Sequence, residues 1–444
     1  MRERLGRDFH LYFVGQATSA LGNSFTWFAL PLLVYQLTGS ATNLAVTTAS
    51  EMLPYLLFGL ILGAVADRVD RKRTMILVDI ARCGVIAVLP VLWLLGLLRV
   101  EYIYAAGFAQ TTFGILFESG EFAAIPSLVG KDALVTANGR IQATLFAGMV
   151  VGPVLAGALV AFLAPAELLF FDAATFAVSA LTLAAIRRSF NEGRGGGGAP
   201  APAGRSVVRG LLRDVREGLS YVWHHPVLRS ISIMMALINF VATTQTTQLV
   251  LYAKRALHAT NSEVGWLYAA GGAGIVLTGL LAGPLRRRFS FATVALGTLV
   301  VNGLAVTAMA LIGWYPAAVV LWGLGERCAI LLNINTGSLR QAIVPNHLLG
   351  RIMSVAGVLA WSAIPLGAIT GAAVIKAVGN VSVVYAGTGV LSALIAAAFA
   401  FSPIRHGDRY LAAAGQPGLE SAASGEPLSP GGPPSPGDPA VHPA

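Results

Sequence analysis

The chain has 444 residues, of which 55% are hydrophobic and only 11% charged, and its mean hydropathy is +0.70. Soluble domains carry about 25% charged residues, so the composition excludes a water-facing globular surface and points to lipid. The formal charge of +9 does not argue for nucleic acid, because the cations sit in short segments between apolar runs, where they orient a chain in a membrane.

A helix needs about 20 apolar residues to cross a bilayer. Twelve runs qualify: residues 9–36, 43–66, 74–97, 102–124, 139–163, 167–187, 230–253, 263–285, 290–312, 316–338, 350–375 and 381–402. The alternating ten-residue patterns of a membrane barrel do not recur. With the N-terminus in the cytoplasm, the inner segments collect Arg2, Arg4, Arg7, the 68–73 cluster, Arg286–Arg288, Arg340, Arg351 and Arg405, and the outer ones only Arg99, Lys254, Arg255 and Lys376. That bias sets both termini inside. The expected fold is an all-α polytopic membrane protein of twelve transmembrane helices in two pseudo-symmetric six-helix halves. Its parts are a tail at 1–8, a half at 9–188, a linker at 189–229, a half at 230–402 and a tail at 403–444. Met1 leads through charged residues into a full-length apolar run, so a cleaved signal peptide is not expected. Cys83 and Cys328 both fall in apolar runs, so no disulfide framework is expected.

The first run carries Gln16, Ser19, Asn23 and Thr26 at spacings of three and four, hence on one face, with Trp27 beside them. Glu51 lies in the outer half of the second run. That run ends in Gly63-Ala-Val-Ala-Asp67-Arg68, and a basic triplet, Arg71-Lys72-Arg73, follows. Gly63 allows close helix approach, and Asp67 is placed for a charge-assisted hydrogen bond or a cap. This stretch resembles the Gly-x-x-x-Asp-Arg-x-Gly-Arg-Lys/Arg-Arg loop between the second and third helices of the major facilitator superfamily. The resemblance implies a cytoplasmic latch between the two halves, carried here by Gly63, Asp67, Arg68, Arg71, Lys72 and Arg73. Asp70 stands where that family usually has glycine.

Asp79 and Arg82 on the third run are three apart and read as a structural pair. Glu118 and Glu121 share a face toward the cytoplasmic end of the fourth. The fifth run reads GMVVGPVLAG at 148–157. Gly148, Gly152 and Gly157 permit close packing, and Pro153 removes a backbone bond and kinks the helix. The pattern is similar to the Gly-x-x-x-Gly-Pro-x-x-Gly-Gly of proton-coupled exporters, with Ala156 in place of one glycine. LPLLVYQLTGSATNLA at 30–45, Asp79-Ile80-Ala81-Arg82, and LGRIMS at 349–354 resemble the macrolide-efflux and enterobactin-exporter branch of twelve-helix, proton-coupled drug exporters. No Lys or Arg occurs in 102–124, where such exporters typically carry an arginine.

After the sixth run, 189–205 is a Gly- and Pro-rich linker. Val208, Leu211, Leu212, Val215, Leu219 and Val222 then share one face, a spacing expected of a helix lying on the cytoplasmic membrane surface. The second half repeats features of the first: Gly139-Arg140-Ile141 and Gly350-Arg351-Ile352 enter the fifth helix of each, and Gly283-Pro-Leu-Arg-Arg-Arg288 echoes the latch loop. Asn239, Thr243 and Thr247 form a polar face on the seventh run, with Gln245 near it. Glu326 and Asn333 are seven apart on the tenth. The resemblance implies that helices 1, 4, 7 and 10 line a central cavity, so Gln16, Asn23, Trp27, Asn239, Thr243, Gln245 and Asn333 are the expected substrate cavity. Glu326, Glu118 and Glu51 are the expected proton-coupling groups, because a carboxyl desolvated there can take up and release a proton. Asn380-Val381-Ser382 matches a glycosylation sequon, a pattern short enough to recur by chance. Residues 403–444 are rich in Pro, Gly and Ser and are expected to be disordered.

An enzyme is not expected. The histidines, at 10, 224, 225, 258, 347, 406 and 442, fall in loops, tails or helix ends, and no HExxH occurs. A primary pump would need G-x-x-x-x-G-K-[ST], which is absent. No catalytic residue, metal or cofactor is expected. The resemblance implies a monomeric secondary transporter in the cell membrane. It would export a drug, macrolide or siderophore-like amphipath by alternating access and proton antiport. The alternatives are a nutrient importer or uniporter of the same fold and, further off, a polytopic membrane enzyme. Expected partners are the lipid bilayer, the substrate and protons, and no nucleic acid.

Overall fold

A computed structural model describes residues 6–66, 69–129, 133–190, 205–344 and 346–408, and these contain helices and no strand. The first six apolar runs form α1 (Arg7–Thr38), α2 (Ala41–Ala66), α3 (Arg71–Leu94), α4 (Val100–Val129), α5 (Leu134–Leu159) and α6 (Leu168–Ala185). The amphipathic segment is α7 (Arg205–His224). The second set gives α8 (Pro226–Thr247), α9 (Leu249–Arg255), α10 (Asn261–Arg288), α11 (Phe291–Ile312), α12 (Tyr315–Ile343), α13 (Asn346–Trp361), α14 (Ala363–Val378) and α15 (Val381–Ala400). Eight described spans are long and apolar enough to cross a membrane. Leu77, Val88, Leu181, Val320 and Leu394 stand exposed on the outside of the bundle, a surface that water would not tolerate and lipid does. Residues 1–5, Asp67, Arg68, 191–204 and the tail from 409 lie outside the described residues.

Two runs that read as single helices are broken. The seventh divides at Gln248, after the run Thr243–Thr247. There Thr243 Oγ1 donates back to Asn239 O at 2.5 Å and Thr246 Oγ1 to Ala242 O at 3.4 Å, and hydroxyls that bond back to the preceding turn bend a helix. The eleventh divides at Ser362. Pro365 has no N–H to donate to the carbonyl of Trp361, so the helical ladder lapses there.

The basic residues gather at one end of the bundle, here the basic end. Asp70 caps α3 there, its Oδ1 accepting from Arg73 N at 2.8 Å, which accounts for a carboxylate where glycine was expected. Arg71 Nη1 donates to Phe190 O at 3.3 Å and Lys72 Nζ to Ile186 O at 2.5 Å, tying α3 to the end of α6. α7 packs on α13, with Val222 buried and Leu219 and Trp223 exposed.

The two halves meet along α5–α10 and α2–α14. On α5, Gly148 and Gly152 face Ala20 and Ser24 of α1 within the first half, while Gly157 lies against Gly265 of α10, where a Cβ would stand 3.0 Å from the Gly265 Cα. The same device holds α14 to α8, where Gly367 and Gly371 face Phe240 and Thr244. Among the described residues, the hydrogen bonds that join the halves lie at the end opposite the basic one. They run from Thr247 Oγ1 to Thr48 Oγ1 (3.2 Å), from Gln248 Nε2 to Ala41 O (2.9 Å) and from Arg255 Nη2 to Gly39 O (2.7 Å). Gly39 ends α1 with φ +58°, a left-handed position that favours glycine.

The opposite end of the second half is pinned by aromatic packing. Tyr252 stacks on Tyr385 with centroids 4.4 Å apart and donates to Met309 O at 2.7 Å, while Tyr385 donates to Gln245 O at 2.5 Å. Tyr385→Phe keeps the ring and strands that carbonyl. It is expected to cost about 1 kcal/mol, read as a lower thermal midpoint of the purified protein with export retained. Asn380, of the sequon, caps α15, its Oδ1 accepting from Ser382 N at 2.9 Å.

Candidate functional site

The first half holds a cavity of about 300 Å³ between α1, α3, α4 and α5. Its polar lining includes Gln16, Asn23, Arg82, Glu118 and Glu121, and its apolar lining includes Phe13, Phe117, Ile141 and Leu145. Glu118 is exposed.

Behind the cavity, α1 and α6 are in close contact because α1 has glycine where α6 has polar side chains. A Cβ at Gly22 would stand 2.6 Å from Asp172 Oδ1, and one at Gly15 would stand 3.4 Å from the Ser179 Cα. The seven-residue spacing of Gly15 and Gly22 matches that of Ser179 and Asp172, so the same helix face meets the same face twice. Asp172, 1% exposed, accepts from Thr26 and from Thr175 Oγ1 (3.2 Å). Gln16 Nε2 donates to Ser179 Oγ at 3.2 Å. Tyr12 donates to Glu121, a short contact joining α1 to α4.

Arg82 is the cation at the centre of this region. The expected pairing with Asp79 is not formed. The guanidinium donates instead to Gln110 Oε1 (2.9 Å) and Asn23 Oδ1 (3.3 Å), and it lies 4.2 Å from the centroid of Phe176. These partners lie on α4, α1 and α6, outside the reach of any spacing rule along α3. Asp79 is 1% exposed and neither carboxylate oxygen has a hydrogen-bond partner among the described residues. The Ser179 side chain is its polar neighbour.

The other expected residues are dispersed. Glu51 on α2 packs over Gly107 of α4, where a Cβ would stand 3.0 Å from Glu51 Cγ. Glu326 on α12 packs over Gly271 of α10, with a corresponding distance of 3.3 Å. Trp27, 60% exposed, meets Tyr268 of α10 edge to face at 5.5 Å. Thr243 and Gln245 are buried, and Gln245 Nε2 donates to Thr388 Oγ1 at 3.2 Å, inside the second half. Asn239 Nδ2 donates to Ala360 O at 2.9 Å, and Asn333 is exposed with its amide on Ala329 O at 3.2 Å. Of the residues expected in the cavity, Gln16 and Asn23 line this one.

Sequence reasoning passed over Asp172, Tyr12, Gln110 and Ser179. One signal was available for Asp172: it is the sole charge within LLFFDAATFAVSALTLAA, and an ionisable group inside a membrane run is a functional candidate by default.

Among known proteins, the family described as transmembrane secretion effector matches residues 7–418. The multidrug efflux pump Tap of Mycolicibacterium fortuitum is 29% identical over 378 residues, covering 82% of this chain and 88% of the pump. Macrolide efflux protein A of Streptococcus pyogenes is 22% identical over 370 residues, covering 82% and 88% of the two chains. In fold, the chain is similar to a bacterial homologue of the human lysosomal transporter Spinster, solved inward-facing and unoccupied. The TM-score is 0.68 at 15% identity, over 92% of this chain and 97% of that one. A bacterial homologue of the iron transporter ferroportin gives 0.66 at 17% identity, over 90% and 100%.

Proposed function

The chain belongs to the transmembrane secretion effector family of the major facilitator superfamily, and on that premise we propose that it exports amphipathic small molecules by alternating access in exchange for protons. It is a multi-pass cell-membrane transporter and not an enzyme. The names of its relatives, a multidrug pump and a macrolide exporter, support drugs and macrolides as the class exported.

The observation that carries the reading is a cavity of mixed polar and apolar lining in a bundle whose halves are hydrogen-bonded to each other at one end. Amphipaths need an apolar face beside a few placed polar groups, and this cavity is lined by Phe13, Phe117, Ile141 and Leu145 together with Gln16, Asn23, Glu118 and Glu121. The basic end is the cytoplasmic one, because loop Lys and Arg resist translocation. The bonds between the halves lie at the other end, so substrate enters from the cytoplasm in this state. Rocking of the halves about the midplane then exposes it outside. Trp27, Asn239 and Asn333 extend the substrate path across the bundle, with Thr243 and Gln245 supporting it. Gly63, Asp67, Arg68, Arg71, Lys72 and Arg73 latch the cytoplasmic side once the halves rock. Gly148, Gly152, Pro153 and Gly157 hold α5 close to α1 and α10. Glu118, Glu51 and Glu326 are the groups exchanging protons, and one chain suffices for the cycle.

Proteoliposomes loaded with a pH-sensitive dye test this with ethidium and erythromycin. Substrate added on the cytoplasmic face is expected to drive a counterflow of protons, and Glu326→Gln to lower that flux at least tenfold. Substrate movement with proton flux at background overturns antiport.

A further inference from the structure

Among the described residues, Asp79 is a buried carboxyl whose two oxygens lack a well-formed hydrogen bond, with Arg82 and Glu121 as its charged neighbours and with Asp172 and Glu118 around Arg82. An ionised carboxylate at 1% exposure, with no well-formed hydrogen bond on either oxygen and only the Ser179 hydroxyl as a neighbouring donor, is costly to keep, and the inexpensive alternative is to carry a proton. The neighbours offer no full compensation. Arg82, one helical turn on, spends its guanidinium on Gln110, Asn23 and the Phe176 face. Asp172 is already held by Thr26 and Thr175. From α4, Glu121 is engaged by Tyr12 of α1, and Glu118 lies in the open cavity. Tyr55 of α2 and Cys83 of α3 complete the titratable groups in electrostatic reach of Arg82 and Asp172.

We infer that Asp79, where α3 meets Ser179 of α6, holds an exchanged proton in this conformation, and that Arg82 converts its loss into a site for an organic cation. The inference rests on the proton-exchange reading above, adds Asp79 as a carrier beside Glu118, Glu51 and Glu326, and names the charge of the substrate. Arg82 and Asn23 both line the cavity. With Asp79 neutral, the guanidinium stays bonded to Asn23 and Gln110, and its positive charge occupies the polar wall. When the proton leaves, the Asp79 carboxylate attracts Arg82, which lies three residues on along the same helix, within side-chain reach. The guanidinium then withdraws from the cavity and frees the Asn23 carbonyl. Glu118 and Glu121 are left facing a space that has lost its cation, and a monocationic amphipath replaces it. One proton leaves and one positive charge enters, so the net charge of the buried region is unchanged over the exchange. Proton and substrate exclude one another through Arg82 without touching the same atom.

The test is the pH dependence of ethidium affinity, followed by ethidium fluorescence with the purified full-length chain in nanodiscs. Wild type is expected to bind more weakly as pH falls, by up to tenfold per pH unit for one linked proton. Asp79→Asn mimics the protonated acid. It is expected to lose that slope and bind at the weak acid-side affinity at every pH, while Asp79→Glu keeps the slope. Independently of any variant, saturating wild type with ethidium at constant pH is expected to remove the infrared band of a protonated carboxylic acid. A slope that survives Asp79→Asn, or a band unchanged by ethidium, overturns the assignment of the proton to Asp79 and leaves the exporter standing. A wild type that binds ethidium with no slope overturns proton exchange itself. A wild type that binds neither ethidium nor tetraphenylphosphonium overturns the cation site.

Discussion

Gly272→Leu is expected to abolish export while leaving the protein inserted in the membrane. Gly272 of α10 lies directly on α5, where a Cβ would stand 2.8 Å from the Met149 carbonyl carbon and 3.1 Å from the Val150 Cα. Both atoms are backbone and cannot rotate away, so any side chain there must part the two helices. The α5–α10 seam joins the halves, and the hydrogen bonds of Thr247, Gln248 and Arg255 to the first half span the same division between them. A branched side chain thus opposes the conformation described here and favours its partner state. The expected readings are transport at least tenfold down and faster maleimide labelling of a cysteine placed at Thr48. Unchanged transport would mean that this seam does not have to close during the cycle.

The second large effect is Arg82→Ala, which is expected to destabilise the folded protein by about 3 kcal/mol, the scale for removing one member of a buried charge group. Arg82 lies within electrostatic range of Asp172, Asp79 and Glu118, and its loss also strands Gln110 Oε1 and Asn23 Oδ1. The expected reading is a marked fall in the thermal midpoint of purified protein. Adding Asp172→Asn to that background is expected to recover part of the loss, because it removes a charge left without compensation. If the two substitutions add without coupling, Arg82 does not balance Asp172.

Asp79 and Arg82 mark where sequence reasoning stops. Their spacing on α3 predicts a pair, yet the guanidinium goes to α4, α1 and α6. A rule of spacing sees neighbours along one helix, and the partners that win come from sequence positions 23, 110 and 176. The polar face of α1 shows the same limit. Gln16 and Asn23 do line a cavity, while Thr26, on the same face by periodicity, turns to Asp172 of α6. Gln245 is polar for an internal bond to Thr388.

What the sequence by itself determined follows from local rules. Apolar runs of membrane length, interrupted by charge, dictate helices and lipid, because an unbonded backbone in hydrocarbon costs several kcal/mol per group. The glycines and proline of 148–157 and the basic triplet at 71–73 carry the family because each acts through backbone geometry or charge that a linear motif preserves. What only the tertiary structure decided is which polar groups meet. Gly15 and Gly22 bring α1 onto α6, bury Asp172 and place Ser179 beside Asp79. In a low-dielectric interior the state of an acid depends on the few donors within a few ångströms, and those donors come from helices that are distant in the chain.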